Sequence, residues 1–169
     1  MALPITERHS FAVRYSFYVG DGNGANGHCM SIGSNDLGTS YGEGGVRDGV
    51  AVCFDEWENS ISIMFNGLAV WEESVDGGWW SDSIWHTVDV AVQPTGEGGA
   101  TVRFTWDNND DSWIKVSMLS RGGAFYGGWT MIPNYQLPSR TYLGFTARNG
   151  GHYNNHWVKE ISTHLGDCG

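Results

Sequence analysis

Val50-Ala51-Val52-Cys53-Phe54-Asp55-Glu56-Trp57-Glu58-Asn59 is an apolar run that leads into a carboxylate, an aromatic ring and a carboxamide at alternate positions. Side chains on a strand alternate between faces, so Val50, Val52 and Phe54 share one side while Ala51, Cys53 and Asp55 take the other. Asp55, Trp57 and Asn59 then stand where the strand ends and the chain turns. Oxygen donors at this spacing suit a hard cation or the hydroxyl groups of a sugar. The stretch predicts a sheet strand with a polar loop at its end.

Working outward, the same alternation recurs. Phe11 to Val19 places Phe11, Val13, Tyr15, Phe17 and Val19 on one side, and Trp85 to Val92 alternates as cleanly. Further strands are predicted at His28 to Gly33, Ala100 to Trp106, Trp113 to Leu119, Thr141 to Ala147 and His156 to His164. Ile61 to Phe65 and Leu68 to Trp71 flank Asn66-Gly67, a pair that fits the left-handed positions of a type I′ hairpin. No sustained 3.6-residue period appears. Short strands separated by glycine and asparagine turns imply an all-β protein, an antiparallel sandwich or barrel.

The 169 residues suffice for one domain, so residues 1–169 are read as a single unit with its core between about Phe11 and His164. The 25 glycines without a collagen period fit many tight turns. Nine Trp, 7 Tyr and 7 Phe exceed what one small core needs, which leaves rings for stacking on a ligand. A net charge of −10 argues against nucleic acid and anionic membrane as partners. No apolar run is long enough to span a membrane as a helix, and Met1 to Ile5 lacks the pattern of a signal peptide.

Cys29 and Cys53 share the parity opposite the apolar faces of their strands. Were those strands neighbours, a bridge would need Cα atoms within about 7 Å, and a disulfide and two free thiols both remain open. Cys168 is left over. Trp79-Trp80 after Gly77-Gly78 reads as a plug over the end of the core, with a stacking platform as the other reading. His9, His86, His152, His156 and His164 lie in separate segments without zinc-ligand spacing.

The order of segments from about Phe11 to His164 resembles the concanavalin A-like jelly roll of L-type lectins and, more distantly, laminin-G-like domains. Val50 to Asn59 is similar to the family's strand and metal loop. Gly144 to Gly151 followed by His156-Trp157-Val158 resembles its closing strands around the loop that sets sugar preference. Gly24 to His28 stands where the family has its sugar-binding aspartate, and Asn26 replaces that residue. Cys53 replaces a glutamate of the family, and after Asn59 the usual further aspartate and histidine ligands are missing. The resemblance implies a pared-down two-sheet antiparallel sandwich holding one Ca²⁺ or none.

On this reading a Ca²⁺ site would comprise Asp55, the Trp57 carbonyl and Asn59, against the simpler role of Asp55 and Asn59 as turn residues that accept backbone N–H groups. A sugar rim would comprise Asn26, Gly27, Gly44, Gly45, Asn59, Gly151, His152, Tyr153 and Asn154. Carboxamides fit vicinal diols, glycine allows close approach, and aromatic faces pack against sugar C–H groups. The expected function is a non-catalytic carbohydrate-binding module for extracellular or cell-surface recognition or adhesion, with a glycan or polysaccharide partner. A laminin-G-like protein-interaction domain is the second expectation. A divergent glycoside hydrolase is the third, and it is disfavoured because Cys53 occupies the position of the nucleophilic glutamate in laminarinase-type enzymes. No catalytic residue is assigned.

Overall fold

The computed structural model describes residues 2–3, 10–24, 26–34, 44–74, 79–94, 100–107, 113–115, 129–132, 135, 137 and 140–165. Among them are β1 (Ala2–Leu3), β2 (Phe11–Gly20), β3 (Gly27–Gly33), β4 (Gly49–Asp55), β5 (Ser60–Phe65), β6 (Leu68–Ser74), β7 (Trp85–Pro94), β8 (Ala100–Asp107), β9 (Trp113–Lys115), β10 (Trp129–Ile132), β11 (Thr141–Arg148) and β12 (Asn155–Leu165). The one helical element among the described residues is a 3₁₀ turn, Trp79–Ser81. No described helix is long and apolar enough to cross a membrane.

The strands form two antiparallel sheets, the all-β architecture expected from the sequence. One runs β1-β11-β3-β4-β5-β6; the other runs β10-β8-β7-β2-β12, with β9 also paired to β8. The chain divides into two compact units: Met1–Glu7, Tyr18–Ile84 and Gln136–Trp157 in the first, and Arg8–Phe17, Trp85–Tyr135 and Val158–Gly169 in the second. The first sheet lies in the first unit.

Period-two patterning decides the buried face of β7 and of the first half of β2, whereas β3 and β4 are buried on both faces. In the second unit, Phe11, Val13, Tyr15 and Phe17 of β2 and His86, Val88, Val90 and Val92 of β7 are all buried. In the first unit, Met30, Ile32, Val50, Val52, Phe54, Ile61 and Ile63 are buried, each worth about 1.5–3 kcal/mol relative to exposure. Trp80 is fully buried and meets Phe54 edge-on with ring centroids 5.8 Å apart, which fits the plug reading. Gly77 and Gly78 lie outside the described residues.

The β5–β6 hairpin turns at Asn66 and Gly67, whose φ values of 51° and 76° are the left-handed pair that an Asn-Gly type I′ turn requires. In the β3–β4 ladder Cys29 stands directly opposite Cys53, and a disulfide joins them. Both cysteines are buried, packed with Val46, Ala51 and the partly buried Met64. Cys168 lies outside the described residues.

Candidate functional site

Strand register brings three loops to one end of the first sheet. Gly27 at the start of β3 pairs with Asp55 at the end of β4 on one side and with Arg148 at the end of β11 on the other. The loop entering β3, the β4–β5 loop and the β11–β12 loop therefore all emerge at the same edge. Asn26, Gly27, Asp55, Trp57, Asn59, Gly151, His152, Tyr153 and Asn154 are on these three loops.

Hydrogen bonds fasten the loops together. Glu56 N donates to Asn26 O at 3.1 Å, and Asn23 N donates to Tyr153 O at 2.9 Å. Tyr153 N donates to Asn23 Oδ1 at 2.9 Å, and His152 Nδ1–H donates to Asn23 O at 3.1 Å. Asn149 and Asn154 bond reciprocally: Asn149 Nδ2 donates to Asn154 O, and Asn154 N donates to Asn149 Oδ1, each at 3.2 Å. The approach is so close that a Cβ on Gly22 would stand 1.8 Å from Tyr153 O.

Aromatic surface crowns this frame. Trp57 is 69% exposed and Tyr153 56% exposed, large values for rings of this size. The Trp57 and His152 rings lie 5.8 Å apart, and Gly151 and His152 are exposed. Asn26 is half-buried, while Asn154 is buried. Gly44 is exposed, but Gly45 is buried over β4, where a Cβ would meet Ala51 Cβ at 2.5 Å and Cys53 Sγ at 3.2 Å. Cys53 precedes Asp55 by two residues, about 7 Å of strand.

Asp55 closes the β4–β5 turn. Its Oδ1 accepts from Trp57 N at 2.8 Å and from Glu58 N at 2.9 Å, an Asx arrangement. Asn59 ends the turn in the left-handed region at φ 52° and is exposed. One carboxylate oxygen is thus committed to backbone donors, and Asp55 Oδ2, the Trp57 carbonyl and Asn59 fall well short of the six to eight oxygens that calcium takes. The loop is closed by its own hydrogen bonds.

Between Asp55 and Trp57 the turn directs Glu56 inward, and here lies a cluster with no signature in sequence spacing. The Glu56 side chain is only 1% exposed and His156 only 9%. Glu56 Oε1 and His156 Nε2 share a hydrogen bond of 2.6 Å, while Asn154 Nδ2 donates to Glu56 Oε2 at 2.5 Å. His28 completes the group: it is buried, and its ring stacks on Phe54, its direct partner in the ladder, at 4.7 Å and 5°. One ligating atom from each of His28, Glu56 and His156 lies within 4.8 Å of the others. Burial, with a smaller contribution from His156, pulls the His28 imidazole down to about 3 and keeps it neutral.

Comparison with known proteins bears on the fold. No protein-family model matches the chain, and no curated protein matches it in sequence. Among solved structures, the Ca²⁺/Man3GlcNAc-bound exoplasmic/lumenal domain of VIP36 matches with a TM-score of 0.64 and 18% identity, covering 94% of this chain and 69% of that one. Lectin II from Ulex europaeus matches at 0.62 with 16% identity, over 94% of this chain and 73% of the lectin. Arcelin-5, a lectin-like defence protein from Phaseolus vulgaris, matches at 0.58 with 14% identity, over 96% of this chain and 74% of its own. The fold is the concanavalin A-like jelly roll, a two-sheet antiparallel sandwich. The chain has the architecture of the L-type and legume lectins.

Proposed function

We propose that this chain is a non-catalytic carbohydrate-binding module whose site is the rim formed by the loops around Asn26, Trp57 and Tyr153. The observation that carries the reading is the convergence of three cross-bonded loops beneath two exposed rings, Trp57 and Tyr153. Solvent-exposed aromatic faces at a rigid rim can pack against sugar C–H groups, while Asn26, Asn59, His152 and the backbone of Gly27 and Gly151 supply hydrogen-bonding groups for hydroxyls. Asn154 acts from below by holding the loop in place. Of the pair Gly44 and Gly45, only the exposed Gly44 is open to a ligand, because Gly45 is buried against Ala51 and Cys53. The Man3GlcNAc-bound VIP36 domain, together with a further structural match, lectin UEA-II complexed with galactose (TM-score 0.62, 17% identity), supports a sugar as the ligand class.

The Asp55 turn is complete without an ion, so sugar binding on this reading does not depend on Ca²⁺ at Asp55, Trp57 and Asn59. Supplying that site would require water or a further loop. A buried disulfide fits an oxidising compartment and supports an extracellular or secretory-pathway location, where such a module would serve recognition or adhesion. A screen of immobilised glycans, run with calcium and with EDTA, tests the reading. Binding to defined sugars that Trp57→Ala and Tyr153→Ala abolish without unfolding supports it. Binding to no glycan, with capture of a protein ligand unaffected by competing sugars, sinks it.

A further inference from the structure

We propose that His28, Glu56 and His156 constitute a binding site for a divalent transition-metal ion of the zinc class, set beneath the rim. Two imidazoles and one carboxylate are a recurrent ligand set for Zn²⁺, whereas Ca²⁺ and Mg²⁺ prefer oxygen donors throughout. The three residues come from β3, the β4–β5 loop and β12, so the fold alone brings them together. A tetrahedral ion with donors at about 2.1 Å needs neighbouring donors about 3.4 Å apart. The present spread of up to 4.8 Å closes to that with movements of about 1 Å.

The surroundings suit a metal as well as the ligands do. Asn154 orients the Glu56 carboxylate and Phe54 fixes the plane of His28, the supporting roles that ligand-holding residues need. On binding, the Glu56–His156 hydrogen bond opens and the ion takes its place between the two side chains, with His156 ligating through Nε2 while its ring N–H resides on Nδ1. A water molecule fills the fourth position. Because Glu56 N is tied to Asn26 O and His156 follows Asn154 by two residues, the ion would brace all three rim loops. The metal site stands whether or not the rim binds sugar.

The test uses tag-free, chelator-stripped protein titrated with Zn²⁺ and, for its spectrum, Co²⁺. One equivalent bound, with the intense visible absorption of four-coordinate Co²⁺, is expected. Glu56→Gln and His156→Gln, checked for native circular dichroism, should each weaken binding at least tenfold, while His164→Ala leaves it unchanged. X-ray absorption of the zinc-loaded parent should show two imidazole ligands, which keeps the test decisive if a variant misfolds. Lack of stoichiometric uptake, binding undiminished in both folded variants, or fewer than two imidazoles around zinc would each overturn the proposal.

Discussion

Cys29 and Cys53 face each other across the β3–β4 ladder with Cα atoms 4.1 Å apart, and their disulfide is sealed from solvent. Val46 and Gly45 lie over it, so a reductant reaches the bond only when the covering segment opens. The bridge closes a loop with a sequence separation of 24, for which loop-closure entropy implies about 3.5 kcal/mol of stabilisation. Replacing both cysteines by alanine should lower the urea midpoint accordingly, and the native protein should resist mild reductant until partly denatured. An unchanged midpoint in the double variant would show that the bridge contributes nothing.

Asp55 supplies the second prediction. Its Oδ1 takes two backbone N–H bonds, so Asp55→Ala should destabilise by roughly 1–2 kcal/mol, while Asp55→Asn, which keeps an acceptor oxygen, should cost less. Thermal unfolding of the parent should not respond to Ca²⁺ through this loop. A calcium-dependent rise in melting temperature that disappears in Asp55→Asn would contradict the closed-turn account and restore Asp55, Trp57 and Asn59 as ligands.

Strands β2 and β7 were legible because their apolar residues alternate, whereas β3 and β4 are buried along almost their whole length. His86 to Val92 alternate as strictly in space as in sequence, while within Phe11 to Phe17 the off-phase Ser16 is buried as well. Asn66-Gly67 named its own turn type, and the resemblance in the 144–158 segment singled out a loop that the register places at the same sheet end as the β4–β5 loop. Long-range relations were less accessible. Glu56 and His156 are 100 residues apart, so no ligand spacing could announce their contact. By strand parity Glu56 continues the apolar face of Phe54, but beside Asp55 and Glu58 it reads as one more solvated carboxylate. Its burial depends on the turn that Asp55 closes. The parity argument likewise paired Cys29 with Cys53 in orientation but did not reveal that Val46 covers them. The strands Ala2–Leu3 and Trp129–Ile132 went unnoticed because two to four residues carry too little periodicity.

Gly22 sets how closely the loop before β3 approaches the β11–β12 loop. A methyl group there would collide with the Tyr153 carbonyl, a backbone atom that cannot swing aside. Gly22→Ala should therefore break the Asn23–Tyr153 pairing and spread the rim. Glycan affinity should fall at least tenfold while the far-UV spectrum stays native, since the strands themselves are untouched. Full affinity in this variant would mean that the sugar does not bridge the two loops.

Alkaline pH offers a probe of the second unit. Burial pushes the Tyr15 phenol well above its usual range, and it raises Tyr135 by the same cause. In the unfolded chain both phenols ionise near pH 10, so above that point the folded state retains protons that the unfolded state has lost. Stability is unaffected by these groups below about pH 10 and declines as pH rises beyond it, by up to about 1.4 kcal/mol per pH unit for each buried phenol. Melting temperatures measured from pH 9 to 11.5 should show this fall, and Tyr15→Phe should make it shallower even if the variant is less stable at neutral pH. The slope is the informative quantity, because a change in packing alone shifts the whole curve and leaves its pH dependence intact. Equal slopes in parent and variant would show that Tyr15 ionises as freely in the folded protein as in the unfolded chain.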